Sequence, residues 1–187
     1  PEVRKARKST YYQLVPRDLK KNLAFRLDVL KAAQSDPNLQ AGLWELCKRD
    51  CLLFIDLFAI QVNPDTADKG PFITWPYQQV AINGGETEIG GVKVTQEGLL
   101  SSVVDRKDVR WPKSRDGGAS WIVLMVIVWL CIFHEPIMAG AISRDEDSVD
   151  KLGDPNSLFE KVRILLSYLP DWMKRGKIQD KKCSFQF

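Results

Sequence analysis

"RWPKSRDGGASW" (residues 110–121) runs without interruption into "WIVLMVIVWLCIF" (residues 121–133). A glycine-rich turn that opens directly into a long apolar segment is where a phosphate-binding loop hands over to a buried helix. The apolar segment has thirteen residues and no charged side chain. At the helical rise it is too short to cross a bilayer comfortably, so it predicts a core helix over residues 118–133. Its many β-branched residues leave a strand as the alternative.

The turn departs from the usual phosphate-loop pattern. Gly118 and Ser120 fill the sixth and eighth positions of that eight-residue motif, but Ala119 stands in the lysine position and Lys113 in the opening glycine position. A phosphate loop works because glycines let several backbone N–H groups converge on an anion at a helix N-terminus. A Ser or Thr on the first helical turn ligates Mg²⁺, and a lysine neutralises the β- and γ-phosphates. A long lysine at the start of a loop that wraps its ligand still reaches the phosphates. Arg115 supplies a second cation. The plain alternative is a basic turn before a core helix.

The flanking sequence supports an alternation of elements. Residues 17–34 place Leu19, Leu23, Leu27 and Leu30 at helical spacing. "LQAGLWELCKRDCLLFIDLFAI" (residues 39–60) fits a second helix with a break near Asp50, and residues 61–71 are rich in turn formers. "NGGETEIGGVKV" (residues 83–94) predicts a loop or a small hairpin around paired glycines, and "TQEGLLSSVVD" a short helix capped by Thr95. "DVRWP" reads as a short strand before the glycine turn, and "IMAGAIS" (residues 137–143) as a buried strand after the apolar helix. The final helix, in "DPNSLFEKVRILLSYL", has Asp154 as cap, Pro155 at its first position and Pro170 beyond its end. Strand and helix in alternation predict an α/β fold with a parallel sheet flanked by helices.

Bulk properties are permissive. A chain of 187 residues with 44% apolar residues supports one domain with a sizeable core. A net charge of +3 gives no global basic field. The positive charge gathers near the ends, at residues 4–8, 16–21 and 174–182, either as solvated surface or as a path for a polyanion. Cys47, Cys51, Cys131 and Cys183 with the single His134 do not complete a zinc set, so free thiols in a cytosolic protein are expected. Cys47 and Cys51 share a face if they lie on one helix.

A second motif lies about 35 residues before the turn. "FITWPYQQ" (residues 72–79) sets Pro76, Tyr77 and Gln78 after two aromatic residues. A glutamine amide offers a donor and an acceptor that match the N6/N7 edge of adenine, while Tyr77 or Trp75 could line the ring. Taken alone, the same residues make an aromatic-capped helix start.

Together, "FITWPYQQ", "KSRDGGAS" and "AISRDEDSVDK" resemble the N-terminal ATPase domain of tailed-bacteriophage terminase large subunits, the motors that package DNA into procapsids. The similarity covers residues 70–170, and the displaced lysine is a mark of that family. It implies a P-loop NTPase-type fold, ATP and Mg²⁺ as cofactors, and Lys113 and Arg115 as the catalytic cations. It also makes Lys113, Ser114, Arg115, Asp116, Gly117, Gly118, Ala119, Ser120 and Trp121 the phosphate-holding segment, with Ser120 as the Mg²⁺ ligand. Trp75, Tyr77 and Gln78 would hold adenine. "SRDED" (residues 143–147) would sit near the site, or its acids simply begin a helix. Double-stranded DNA, a small terminase subunit, the portal and a homo-oligomeric ring are the implied partners, with no membrane, in the host cytoplasm. Residues 1–69 would be a helical, lid-like segment and residues 70–187 a partial ATPase domain that stops before Walker B.

The acids needed to place Mg²⁺ and activate water do not follow Ser120 in the expected form. "LLFID" (residues 52–56) has the look of an acid-terminated strand but precedes the loop, with Leu57 where Glu belongs. The chain therefore reads as a fragment of a motor with weak or no turnover of its own. The rivals are another P-loop translocase of helicase type and a non-catalytic interaction domain whose glycine turn binds nothing.

Overall fold

The computed structural model of the chain describes residues 9–63, 66–111, 117–134, 138–174, 176 and 178–187. A 3₁₀ turn at Tyr11–Leu14 leads into three helices, α1 (Leu19–Gln34), α2 (Pro37–Arg49) and α3 (Cys51–Phe58). Each begins at an aspartate. Asp18 accepts from the Lys21 N–H, Asp36 from Asn38 and Leu39, and Asp50 from Leu53, each satisfying donors that a helix start leaves open. Asp50 also explains the break between α2 and α3. Its backbone is extended (φ −142°, ψ 101°), and both of its carboxylate oxygens are engaged.

The rest of the chain alternates small hairpins with helices. Strands β1 (Ile60–Val62) and β2 (Lys69–Pro71) pair antiparallel and lead to α4 (Pro76–Asn83). The glycine hairpin follows as β3 (Gly85–Ile89) and β4 (Val92–Gln96). Next come α5 (Leu99–Asp105), α6 (Ala119–Phe133), the short α7 (Glu146–Val149) and α8 (Leu158–Tyr168). A 3₁₀ turn at Asp171–Met173 precedes a last hairpin, β5 (Gln179–Lys181) and β6 (Ser184–Gln186).

The apolar segment is the buried helix that the sequence predicts. Ten of the residues of α6 are buried, and Val123, Ile127 and Cys131, spaced four apart on one face, are half-buried. What covers it is different from the expectation. Helices α2, α3, α4 and α8 pack around it, and among the described residues there is no parallel sheet beneath it. Phe133 meets Phe54 edge-on at 5.5 Å and Trp44 at 5.1 Å. Trp129 is fully buried, and its indole N–H donates to the Cys47 carbonyl at 2.7 Å, tying α6 to the end of α2. Cys47 and Cys51 end up on two helices, both buried, where burial pushes the thiols well above their ordinary range.

The parallel sheet of a P-loop NTPase is therefore not the architecture. The described residues contain three two-stranded antiparallel sheets and are mostly helical. Of the predicted strand over residues 137–143, residues 138–143 carry no strand, and Met138 and Ile142 stand fully exposed. Residues 108–111 of the other predicted strand are likewise irregular. An apolar helix such as α6 is covered by other helices as well as by a sheet, so its burial does not call for one.

Smaller corrections have local causes. Thr95 stays in β4, and α5 begins at Leu99, capped by Gly98. The Gly98 backbone approaches Gly84 so closely that a Cβ on Gly98 would stand 2.2 Å from the Gly84 nitrogen. Helix α8 starts at Leu158 with Ser157 as its cap, and Asp154 instead orders the turn before it by accepting from the Asn156 N–H. On α1, Leu19, Leu23 and Leu27 face solvent while Asn22 and Arg26 are buried. Among the described residues no helix is long and apolar enough to cross a membrane.

Replacing Trp129 by Phe removes the indole donor to the Cys47 carbonyl and part of a fully buried ring. The expected loss is about 1–3 kcal/mol of unfolding free energy, read as a lower urea midpoint. An unchanged midpoint would show that α6 is not anchored through this bond.

Candidate functional site

The start of α6 is set by Gly118, which lies in the left-handed region (φ 73°) and caps the helix with no side chain of its own. The first intrahelical bond runs from Ile122 N–H to the Gly118 carbonyl. The N–H groups of Ala119, Ser120 and Trp121 therefore precede the helical ladder and form its positive end. Ser120 is exposed there, while Gly117, Gly118 and Ala119 are half-buried. Trp121 turns into the core, and Lys161 Nζ stands 5.7 Å from its ring centre.

Helix α4 brings the second motif onto this turn. Pro76 sits at its first position, and Gln78 Oε1 accepts from the Trp75 N–H at 2.8 Å. The other end of the same amide donates from Nε2 to the Gly117 carbonyl at 3.1 Å and to the Tyr77 hydroxyl at 3.3 Å. The Tyr77 hydroxyl itself reaches the Gly117 carbonyl at 3.5 Å. Tyr77, Gln78 and Gly117 thus meet. The amide of Gln78 is buried and already occupied within the chain, whereas Trp75 and Tyr77 are exposed.

What holds α4 in place was not legible as a motif. Asp56 is fully buried. Its Oδ1 accepts from the Thr74 N–H at 2.7 Å, and its Oδ2 accepts from the Thr74 hydroxyl at 3.0 Å and from Arg17 at 2.7 Å. Burial pushes the Asp56 carboxyl up from its usual range, opposed by the Thr74 bonds and by the nearby Arg17. Arg26 lies beneath, donating to the carbonyls of Asp56 and Ala59 at 2.7 Å each and of Phe72 at 3.0 Å. Burial lowers its guanidinium to about 10. A cation there also suits the carbonyl end of α3. The acid of "LLFID" is therefore a structural anchor on a helix. The one available signal was its place as the sole charge in an apolar run.

Ser120 and the "SRDED" segment line one open cleft of about 910 Å³. Asp145 caps α7 by accepting from the Ser148 N–H at 2.7 Å, and the Ser148 hydroxyl and N–H hold its carboxyl below the usual range. Asp147 pairs with Lys151, and Glu146 with Lys182. These acids therefore begin a helix and also face the cleft. Their hard oxygen donors, with the Ser120 hydroxyl, suit Mg²⁺ in kind. Among the described residues no group of three or more His, Cys, Asp or Glu side chains is arranged to hold a metal ion. Lys113, Ser114, Arg115 and Asp116 lie outside the described residues.

No family model, curated protein or solved structure matches this chain. The residues and their geometry are what bear on function.

Gly118→Ala tests the turn. The left-handed backbone disfavours any L side chain, and the new Cβ would stand 3.1 Å from Gln78 Nε2. The expected cost is about 1–2 kcal/mol in chemical denaturation. A neutral substitution would show that the turn does not hold this conformation in solution.

Proposed function

We propose that the turn at residues 113–120 binds the phosphates of ATP with Mg²⁺, and that the chain is the ATP-binding part of a DNA-packaging motor of terminase type. The observation that carries this is the meeting of Tyr77 and Gln78 with Gly117 at the open N-terminus of α6. Two motifs some forty residues apart in sequence, one suited to a base and one to phosphates, adjoin in space. The proposal rests on this site and not on the fold, since a site and its scaffold vary independently.

The roles follow from the side chains. Backbone N–H groups at Gly118 to Ser120 would face the phosphates, and Lys113 and Arg115 would neutralise them. Exposed Trp75 and Tyr77 would lie against the base. Bound Mg²⁺ would shield charge on the β- and γ-phosphates, with the Ser120 hydroxyl as the ligand from this chain. DNA, a small subunit, a portal and a ring of copies belong to the same proposal.

The occupied amide of Gln78 favours a second reading. Both of its ends already serve the protein, so Gln78 could act only to lock the turn, in a non-catalytic interaction domain.

Calorimetry with ATP and Mg²⁺ separates the two. Lys113→Ala should lower affinity about 10- to 100-fold by removing a charge-assisted phosphate contact. Lys93→Ala, exposed on the hairpin, should leave affinity unchanged. Phosphate release should stay below about 1 s⁻¹, since no acid-terminated strand follows Ser120 among the described residues. A parent that binds no ATP, or a Lys113→Ala variant that binds equally well, contradicts the proposal.

A further inference from the structure

One buried carboxylate, Asp56, connects the segment before α1 with the segment before α4. Asp56 receives Arg17 from the segment before α1 and Thr74 from the segment before α4. Thr74 in turn accepts from Gln79 Nε2, at 3.2 Å on its hydroxyl and 3.3 Å on its carbonyl. Arg17 also reaches the Thr74 hydroxyl, at 3.3 Å from Nη2. Thr74 is thus fixed on both sides one residue before Trp75, where the turn that carries Tyr77 and Gln78 begins. These bonds link residues 17, 56, 74 and 79 into one chain of contacts, and Gln78 continues it to Gly117.

We infer that Arg17, Asp56 and Thr74 are positioning residues that hold the Trp75–Gln78 turn against Gly117 and thereby set the nucleotide affinity of the site, an inference that rests on the ATP-binding reading above. None of the three need touch the ligand. Arg17 is the adjustable member, because its guanidinium is part-exposed while Asp56 is fully buried. Movement of the segment before α1 would pull Arg17 from Asp56 and from the Thr74 hydroxyl, leaving Asp56 and Gln79 alone to hold Thr74, and would slacken the hold on Gln78. The N-terminal segment thereby gains a route to the site without contributing a ligand to it.

The test uses the full chain and three variants, Arg17→Gln, Thr74→Val and Thr74→Ser. ATP·Mg²⁺ affinity is measured by calorimetry, and amide hydrogen exchange is followed in parallel. Arg17→Gln and Thr74→Val should each weaken ATP about 5- to 10-fold, the effect of losing one or two hydrogen bonds. Thr74→Ser, which keeps the hydroxyl, should bind within about 2-fold of the parent. Exchange in the two weakened variants should quicken at Thr74 and Trp75, whose N–H groups are held by Asp56 and Gln78, and not in α8. Should Thr74→Val fail to fold, Arg17→Gln at its part-exposed position still decides. Variants that bind like a binding parent overturn the inference and leave the ATP reading standing. Exchange that quickens equally in α8 also overturns it, because the network would then serve the fold at large. A parent that binds no ATP removes the ATP reading, and the inference with it.

Discussion

A helix that is apolar on every side has no face to offer water, and α6 is such a helix. Burying an aliphatic or aromatic side chain is worth about 1.5–3 kcal/mol, so ten buried residues on one helix outweigh any local preference elsewhere in the chain. The other elements take their places from that constraint. Helices α3 and α8 lie along it, the end of α2 is tied to it through Trp129, and α4 meets it near its first turn. The glycine turn has its position because it is the entrance to this helix.

Buried polar groups give the assembly its geometry where apolar packing alone would leave it loose. Asp50 ends one helix and begins another while engaging Ser9 and Tyr12. Asp56 and Arg26 do the same work between α1, α3 and the approach to α4. Such groups are costly to bury and stay buried because each finds several partners. At the far end, Arg163 binds Asp150 and Asp180, and Asp150 accepts from the Cys183 N–H, which fixes the last hairpin beside α8. Those carboxylates hold the Arg163 guanidinium above its usual range.

Local patterns were readable in the sequence, and long-range choices were not. The buried helix, the break at Asp50 and the hairpin, one of two readings of residues 83–94, follow from spacing and residue type, whereas the meeting of Gln78 with Gly117 is visible only in the fold. The parallel sheet did not follow, because residues 108–111 and 138–143 pair with no strand among the described residues, and a strand exists only through its ladder. Helix α1 forms as predicted, but which of its faces is buried was not readable. Its leucine spacing is helical, yet the carbonyl end of α3 needs a cation, and Arg26 rather than the leucines is turned inward to meet it. Asp56 looked like the end of a strand because it closes an apolar run. Only the fold shows that Thr74 and Arg17 converge on it.

The central claim is that the surface around Gly117, Ser120 and Tyr77 is a nucleotide site. The apolar groove of about 660 Å³ between α6, α8 and the last hairpin offers the contrasting location. An amide-resolved NMR titration with ATP and Mg²⁺ separates them most directly. Saturable shifts confined to Tyr77 to Gln79, Gly117 to Ser120 and residues 143–148 are the predicted result. No shifts, or shifts that gather instead on Leu124, Val128, Phe159 and Phe185 in the groove, would contradict it.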